Sequence, residues 1–397
     1  MKIGVDLSSL NNKSLNQGVH RYAEGLLTAF KNKRNYNFQI YVNEDFYNYA
    51  KKNYKFQNFK VILLKKKNFF IKKLLTFFII FFGYLNIKIY NLHFLINNFL
   101  NRVNKKIIED NSDVIIFINA HENSYNISIK KIINFHDVLH KTFPKFLNKK
   151  EKFLRDIIYK NCSQNSDIIV ASSNAIRKDF INLLNVKNSK IRVINEGVDL
   201  SKFTQLKLKK KFNLPKDYFF YPAQFWKHKN HIQLIEFVQK FIKKNNINLN
   251  IIFSGKKKSN YAHVIKYIRD LKLNNFRYIG EISFQNLIYT YINSKFVVVP
   301  SLHESSSLVI LEAIALKKNV IASNIKPFLE MNKIFKLHIY DLNNFKSFEK
   351  TLKKLLTTKK NKLKYYSDYN YNKLKDYSWD VIAKKYIDLA EILNNRS

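Results

Sequence analysis

Val297-Val298-Val299-Pro300-Ser301-Leu302-His303-Glu304-Ser305-Ser306-Ser307-Leu308-Val309-Ile310-Leu311-Glu312-Ala313 is the stretch that decides the fold of this chain. A β-branched run stops at a proline, a polar loop follows, and an apolar helical pattern then begins. That is a strand–loop–helix of the kind that lines the crevice at the carboxyl end of a parallel sheet. Ser306 and Ser307 are both good N-caps, so the helix starts near one of them and leaves backbone N–H groups for a ligand. A diphosphate suits such an end, because the helix dipole there favours negative charge. Glu304 in the loop and Glu312 over one turn into the helix can then accept hydroxyl protons on either side, one from a sugar and one from a ribose. An ordinary capped helix with a solvated glutamate has the same spacing, so the rest of the chain must choose.

Working outward, strands are expected at Lys2–Leu7, Asn37–Val42, Lys60–Leu64, Val114–Ile118, Ile132–Phe135, Asp167–Ala171 and Ile191–Ile194, with a helix at Arg21–Phe30. From Tyr218 the pattern restarts, with strands at Phe219–Pro222, Leu249–Ser254, Phe276–Ile279 and Phe296–Val299. Repeated βα units imply parallel sheets covered by helices. Two doubly wound domains in succession fit 397 residues better than one giant sheet. Their boundary is expected in the Lys-rich stretch Phe203–Leu214, giving domains over 1–203 and 204–376 and a final amphipathic helix in 377–397.

A hydrophobic content of 46% excludes a disordered chain. Cys162 is the single cysteine, which excludes a disulfide framework and a Cys-based zinc site and implies a reducing compartment. Met1-Lys2-Ile3-Gly4-Val5-Asp6 reads as a buried strand rather than a signal peptide. The net charge of +41 is compatible with nucleic acid, anionic membrane or acidic substrates. Lys outnumbers Arg by 61 to 9, however, while Asn, Ile, Phe and Tyr are inflated, the mark of an AT-rich genome. Nucleic-acid sites favour Arg, and no RRM, KH or zinc-finger pattern is present, so no nucleic-acid partner is expected. Residues 68–90 are strongly apolar and follow Lys65, Lys66 and Lys67. Their uninterrupted part, Leu74 to Leu85, is shorter than the ~20 residues a spanning helix needs. A helix lying in the membrane interface, its lysines on lipid phosphates, is one reading; a buried helix in an aromatic-rich protein is the other.

Further windows carry chemistry. Tyr221-Pro222-Ala223-Gln224-Phe225-Trp226-Lys227-His228-Lys229-Asn230-His231 follows a strand and opens a helix. Gln17-Gly18-Val19-His20-Arg21-Tyr22 comes after the first strand. Asn134-Phe135-His136-Asp137-Val138-Leu139-His140 follows another, and Asn195-Glu196-Gly197-Val198-Asp199 closes the first domain. His136 and His140 have helical spacing for a metal, but no third ligand is evident. Together with Glu304-x7-Glu312, framed by Pro300-Ser301 and Leu311-Glu312-Ala313, these windows resemble the GT-B glycosyltransferases of family 4 in order and position. Departures are Ala223 and Gln224, where Gly and Arg are usual, and Ser305-Ser306-Ser307, where Gly-Phe-Gly is common.

The resemblance implies a GT-B fold, two Rossmann-like domains facing across a cleft, with the last helix returning to the first domain. It implies a retaining hexosyltransferase, in which the leaving phosphate itself takes the acceptor proton. His136, Lys229 and Glu304 would then be catalytic. Gly18, Gln224, Lys229, Ser306, Ser307, Leu308 and Glu312 would bind a GDP- or UDP-sugar, while Asp137 and Glu196 would line the cleft on the acceptor side. No cofactor or metal is expected, since the chain has no Asp-x-Asp. The acceptor would be lipid-linked or glycan, as in bacterial O-antigen and other surface-polysaccharide synthesis, with a mannosyl or rhamnosyl unit transferred. Such an enzyme would sit in the cytoplasm, peripheral on the inner face of the plasma membrane. Rival readings are a phosphorylase or epimerase on the same fold, or a non-catalytic membrane- or nucleic-acid-binding scaffold.

Overall fold

Continuous apolar runs become strands buried on both faces. Val114–Phe117 and Ile168–Ala171 expose no side chain, as parallel sheets sandwiched between helices require. The computed structural model describes residues 1–15, 17–65, 77, 102–121, 127–204 and 213–395. The chain divides into two units, one formed by Met1–Gly197 with Trp379–Ser397, the other by Val198–Ser378. The apolar basic segment 68–90 lies outside the described residues apart from Phe77, and so does most of the Lys-rich boundary. Among the described residues, no helix is long and apolar enough to cross a membrane.

The first unit holds strands β1 (Lys2–Asp6), β2 (Asn37–Val42), β3 (Phe59–Leu63), β4 (Val114–Phe117), β5 (Lys130–Asn134), β6 (Ile168–Ala171) and β7 (Ile191–Val193). They form an all-parallel sheet in the order β3-β2-β1-β4-β5-β6-β7. The second holds β8 (Tyr218–Pro222), β9 (Asn250–Ser254), β10 (Phe276–Tyr278), β11 (Phe296–Val299), β12 (Val320–Ser323) and β13 (His338–Tyr340), ordered β10-β9-β8-β11-β12-β13. Each is a doubly wound, Rossmann-like sheet. All strands expected from the sequence are present, and β12 and β13 are additions to them. The order reverses between β1 and β4 and again between β8 and β11, and ligands of such sheets bind where the order reverses.

The helix Trp379–Asn394 belongs to the first unit. Trp379 sits in a notch made by two glycines: a Cβ on Gly25 would come within 2.0 Å of its indole, and one on Gly197 within 2.6 Å. Tyr22 packs edge-on against it at 5.1 Å. Tyr386, from the same helix, joins its hydroxyl to that of Tyr22 at 2.6 Å and donates to the Asn134 side chain at the end of β5. Glycine is otherwise scarce, and asparagine does its conformational work. Asn111, Asn185, Asn230 and Asn246 all take positive φ, the left-handed region that Asn tolerates better than other side chains.

His140 and His231 are buried and His338 is half-buried. Burial pushes His231 down to about 3, helped by the neighbouring Lys229 and His228. Burial takes His338 and His140 down to about 4, the latter against the pull of Asp156. Each folded value lies below the unfolded one of about 6.5, so the unfolded chain takes up protons that the folded one refuses. Their stabilising contribution is therefore complete above about pH 6.5 and is lost as pH falls toward 4 and 3, at up to about 1.4 kcal/mol per unit for each group. The urea midpoint should be flat between about pH 7 and 8 and fall steeply between about 6 and 4. An unchanged midpoint at about pH 5 would contradict burial of these rings in neutral form.

Candidate active site

The loops after β8 and β11 meet at the carboxyl edge of the second sheet, where its order reverses. Parallel pairing of Phe296 with Phe219 and Val297 with Phe220 brings them side by side. Four contacts then join them. Leu302 N donates to His228 O at 2.8 Å, and Asn230 Nδ2 donates to Pro300 O at 3.1 Å. The Tyr221 and Ser301 hydroxyls lie 3.4 Å apart, and Lys229 Nζ donates to Glu304 Oε1 at 2.5 Å. Lys229 ends a short 3-10 turn, Lys227–Lys229, and Asn230 at φ 59° then turns the chain into the helix His231–Asn245. Tyr221 also donates to Lys229 O at 2.7 Å, so the backbone beneath the lysine is anchored.

Glu304 accepts a second bond on the same oxygen, from Ser301 Oγ at 2.7 Å, and Ser301 O in turn accepts from Ser323 Oγ at the end of β12. The lysine and glutamate side chains are 19% and 13% exposed, which shields their pairing from bulk water while leaving an approach. An ammonium carries three N–H donors, so Lys229 can hold Glu304 and an anion together. Ser307 is the N-cap, its hydroxyl accepting from Ile310 N at 3.4 Å, and Leu308 begins the helix Leu308–Ala315. The sequence left Ser306 and Ser307 as equal choices; Ser306 falls in the loop. Glu312 lies 2% exposed in the second turn, where Tyr291 donates its hydroxyl to Oε2 at 3.2 Å. Gln224 stands just beyond β8 beside Gly255, whose φ of 143° and close approach to Ala223 O leave no room for a side chain.

In the first unit, Gly18 opens the helix Gly18–Phe30, and a Cβ there would meet nothing within 4 Å. His136 follows β5, and its Nε2 lies 2.7 Å from Ile118 O. A carbonyl only accepts, so Nε2 carries the proton and Nδ1 is left as an acceptor. Burial holds the ring below its ordinary value, hence neutral. Tyr22 touches His136 edge-on at 5.4 Å, and Glu196 is near enough to raise the phenol further. Asp137 caps the turn at Leu139 N and pairs with Arg155 at 3.0 Å, while His140 turns instead toward Asp156 and Tyr159. His136 and His140 thus face different partners. No group of three or more metal-ligating side chains occurs among the described residues.

Sequence reasoning brought out Lys229 and Glu304 but missed their mutual contact, together with Ser301, Tyr221 and Asn230, which set it. It also missed Asp6, fully buried at the end of β1, where Oδ1 accepts from Ser8 N at 2.7 Å and lies 3.5 Å from His121 Nε2. Tyr221, Ser301 and Asn230 lie within windows the sequence singles out and Asp6 closes β1, but the contacts each makes carry no sequence signal.

Two family profiles cover most of the chain: Glycosyltransferase Family 4 over residues 18–202 and Glycosyl transferases group 1 over 203–373. The chain belongs to the family 4 glycosyltransferases. Among relatives of this family, the capsular polysaccharide biosynthesis glycosyltransferase CapH of Staphylococcus aureus is 29% identical over 184 residues, 45% of this chain and 50% of that one. The O-antigen chain mannosyltransferase RfbU of Salmonella typhimurium is 29% identical over 203 residues, 50% of this chain and 53% of that one. The chain thus spans about half the length of these relatives. Anabaena Alr3699/HepE, solved with UDP and glucose, shares the fold with a TM-score of 0.69 at 14% identity, over 98% of this chain and 99% of that one. This family 4 chain therefore carries its lysine–glutamate pair at the reversal point of its second sheet.

Proposed function

We propose that the chain transfers a hexosyl unit, with retention of configuration, from a nucleotide-diphosphate sugar to a lipid-linked or glycan acceptor in surface-polysaccharide synthesis. The observation that carries this is the Lys229–Glu304 pair at the edge of β8 and β11, beside the capped start of the helix Leu308–Ala315. In this reading Lys229, the backbone N–H groups of Ser306, Ser307 and Leu308, and Gln224 meet the diphosphate, an electrostatic solution that needs no metal. Glu304 accepts from hydroxyls of the donor sugar, and Glu312 from the ribose diol. Neutral His136 accepts from a sugar hydroxyl through Nδ1, near the reacting carbon, and Gly18 lets backbone approach the donor. Asp137 and Glu196 belong to the acceptor side, Asp137 acting through Arg155. The sugar C–O bond to phosphate breaks, a C–O bond to the acceptor forms, and the departing phosphate oxygen takes the acceptor's proton.

The mannosyl unit is preferred because RfbU is described as a mannosyltransferase of O-antigen chains. Attachment to the inner face of the plasma membrane through residues 68–90 is part of the proposal. Retention of the protein on anionic vesicles at low salt, and its release at high salt, tests that part.

Calorimetric titration of UDP and GDP into the wild type and Glu312→Gln tests the donor site. The amide keeps the volume of Glu312 and an acceptor for Tyr291. Tight binding of one nucleotide, weakened roughly tenfold in the variant, is the expected result, the scale of one charge-assisted hydrogen bond. In turnover the same change should raise the donor KM and leave kcat nearly untouched. Binding equal in both proteins removes the ribose role from Glu312. If UDP, GDP, dTDP and ADP all fail to bind, the transferase reading fails.

A further inference from the structure

Gln224 and Trp226 are joined side chain to side chain, with Trp226 Nε1 donating to Gln224 Oε1 at 2.9 Å. An indole N–H only donates, so the amide oxygen must face it, and the orientation of the amide is settled by chemistry. The amide NH2 therefore faces away from the indole, and no group among the described residues accepts from it. Trp226 is 37% exposed, and Lys258 from the loop after β9 stands over its ring at 5.0 Å. Phe225 N donates to Lys256 O and Asn260 N to Phe225 O, so the two loops are laced together beneath the pair. The indole is thus fixed by its backbone, its cation and its hydrogen bond, with over a third of the residue left exposed.

We propose that Trp226 is a positioning residue. Through its indole N–H it locks the Gln224 amide in the one orientation that presents NH2 to the diphosphate of the donor. A neutral, oriented donor then serves on the same loop as Lys229, at the position where the family pattern has a guanidinium. This rests on the donor-site reading given above. A guanidinium would carry its charge in any rotamer, whereas an amide turned over presents a carbonyl oxygen and repels phosphate. The lock is needed only because the residue is Gln.

Nucleotide affinity measured by calorimetry with UDP and GDP, in wild type, Trp226→Phe, Gln224→Arg and the double variant, separates the possibilities. Thermal unfolding of each protein reports on the fold. Trp226→Phe keeps an aromatic ring and loses the N–H, and should weaken the preferred nucleotide about 3- to 10-fold with an unchanged Tm, the worth of one hydrogen bond. In the Gln224→Arg background the same substitution should have no effect. A Trp226→Phe affinity equal to wild type overturns the inference and leaves the donor site standing. Equal losses in both backgrounds also overturn it, because Trp226 then acts directly and not through Gln224. Should Trp226→Phe lower the Tm, Gln224→Glu decides: its carboxylate still accepts from the indole but has no NH2, and nucleotide affinity equal to wild type there overturns the inference. A wild type that binds no nucleotide removes both the donor-site reading and the lock.

Discussion

Replacing Lys229 with alanine is expected to lower kcat about 100-fold, the loss that follows removal of one oxyanion-type donor. The side chain is 19% exposed and its Nζ reaches Glu304 rather than the hydrophobic core, so its removal opens no core cavity. Two effects act in the same direction. The departing diphosphate loses its cation, and Glu304 loses the charge that offsets its own, leaving a carboxylate near an anion with Ser301 as its hydrogen-bond donor. The double variant Lys229→Ala, Glu304→Gln separates the two: turnover recovered relative to Lys229→Ala measures the repulsive part. Single-turnover rates with the donor chosen by calorimetry make the comparison. An unchanged kcat in Lys229→Ala would remove the lysine from the chemistry.

Truncating Trp379 to alanine should cost about 3–5 kcal/mol, the range for loss of a large buried aromatic side chain. The notch between Gly25 and Gly197 is shaped for an indole and cannot be refilled by a neighbour, since neither glycine has a side chain to relax. The Tyr22–Tyr386–Asn134 chain lies beside it, and its alignment depends on the same helix. Urea unfolding measures the loss as a lowered midpoint. Gly25→Ala tests the opposite error, since its methyl group would overlap the ring and force the helix outward. A midpoint within experimental scatter of wild type for both variants would show that the notch contributes nothing.

The fold was open to sequence reading because its strands are unbroken apolar runs. Val114–Phe117 or Phe296–Val299 leave little else to be. β12 and β13 escaped because they are short and mixed: Val320-Ile321-Ala322-Ser323 ends in small residues, and His338-Ile339-Tyr340 begins with a histidine. Lys229 and Glu304 could be picked from motif spacing. Their contact could not, because it spans 75 residues and is set by the register of β11 on β8. The bond from Trp226 to Gln224 is local, yet it too was hidden, since it depends on two rotamers and not on any periodicity. Asp137 shows the reverse: a motif position whose carboxylate is engaged by Arg155 and a turn amide, contacts that spacing does not reveal.

The division of the chain has a consequence for its birth on the ribosome. Val198–Ser378 is one uninterrupted stretch, whereas the other unit takes its first part from before that stretch and its last helix from after it. Domains usually fold in the order in which they are made. Here the unit begun first is completed second, and the slot awaiting Trp379 stays open while the whole second unit is being synthesised. A nascent chain halted between residues 198 and 378 would present that apolar slot to its surroundings.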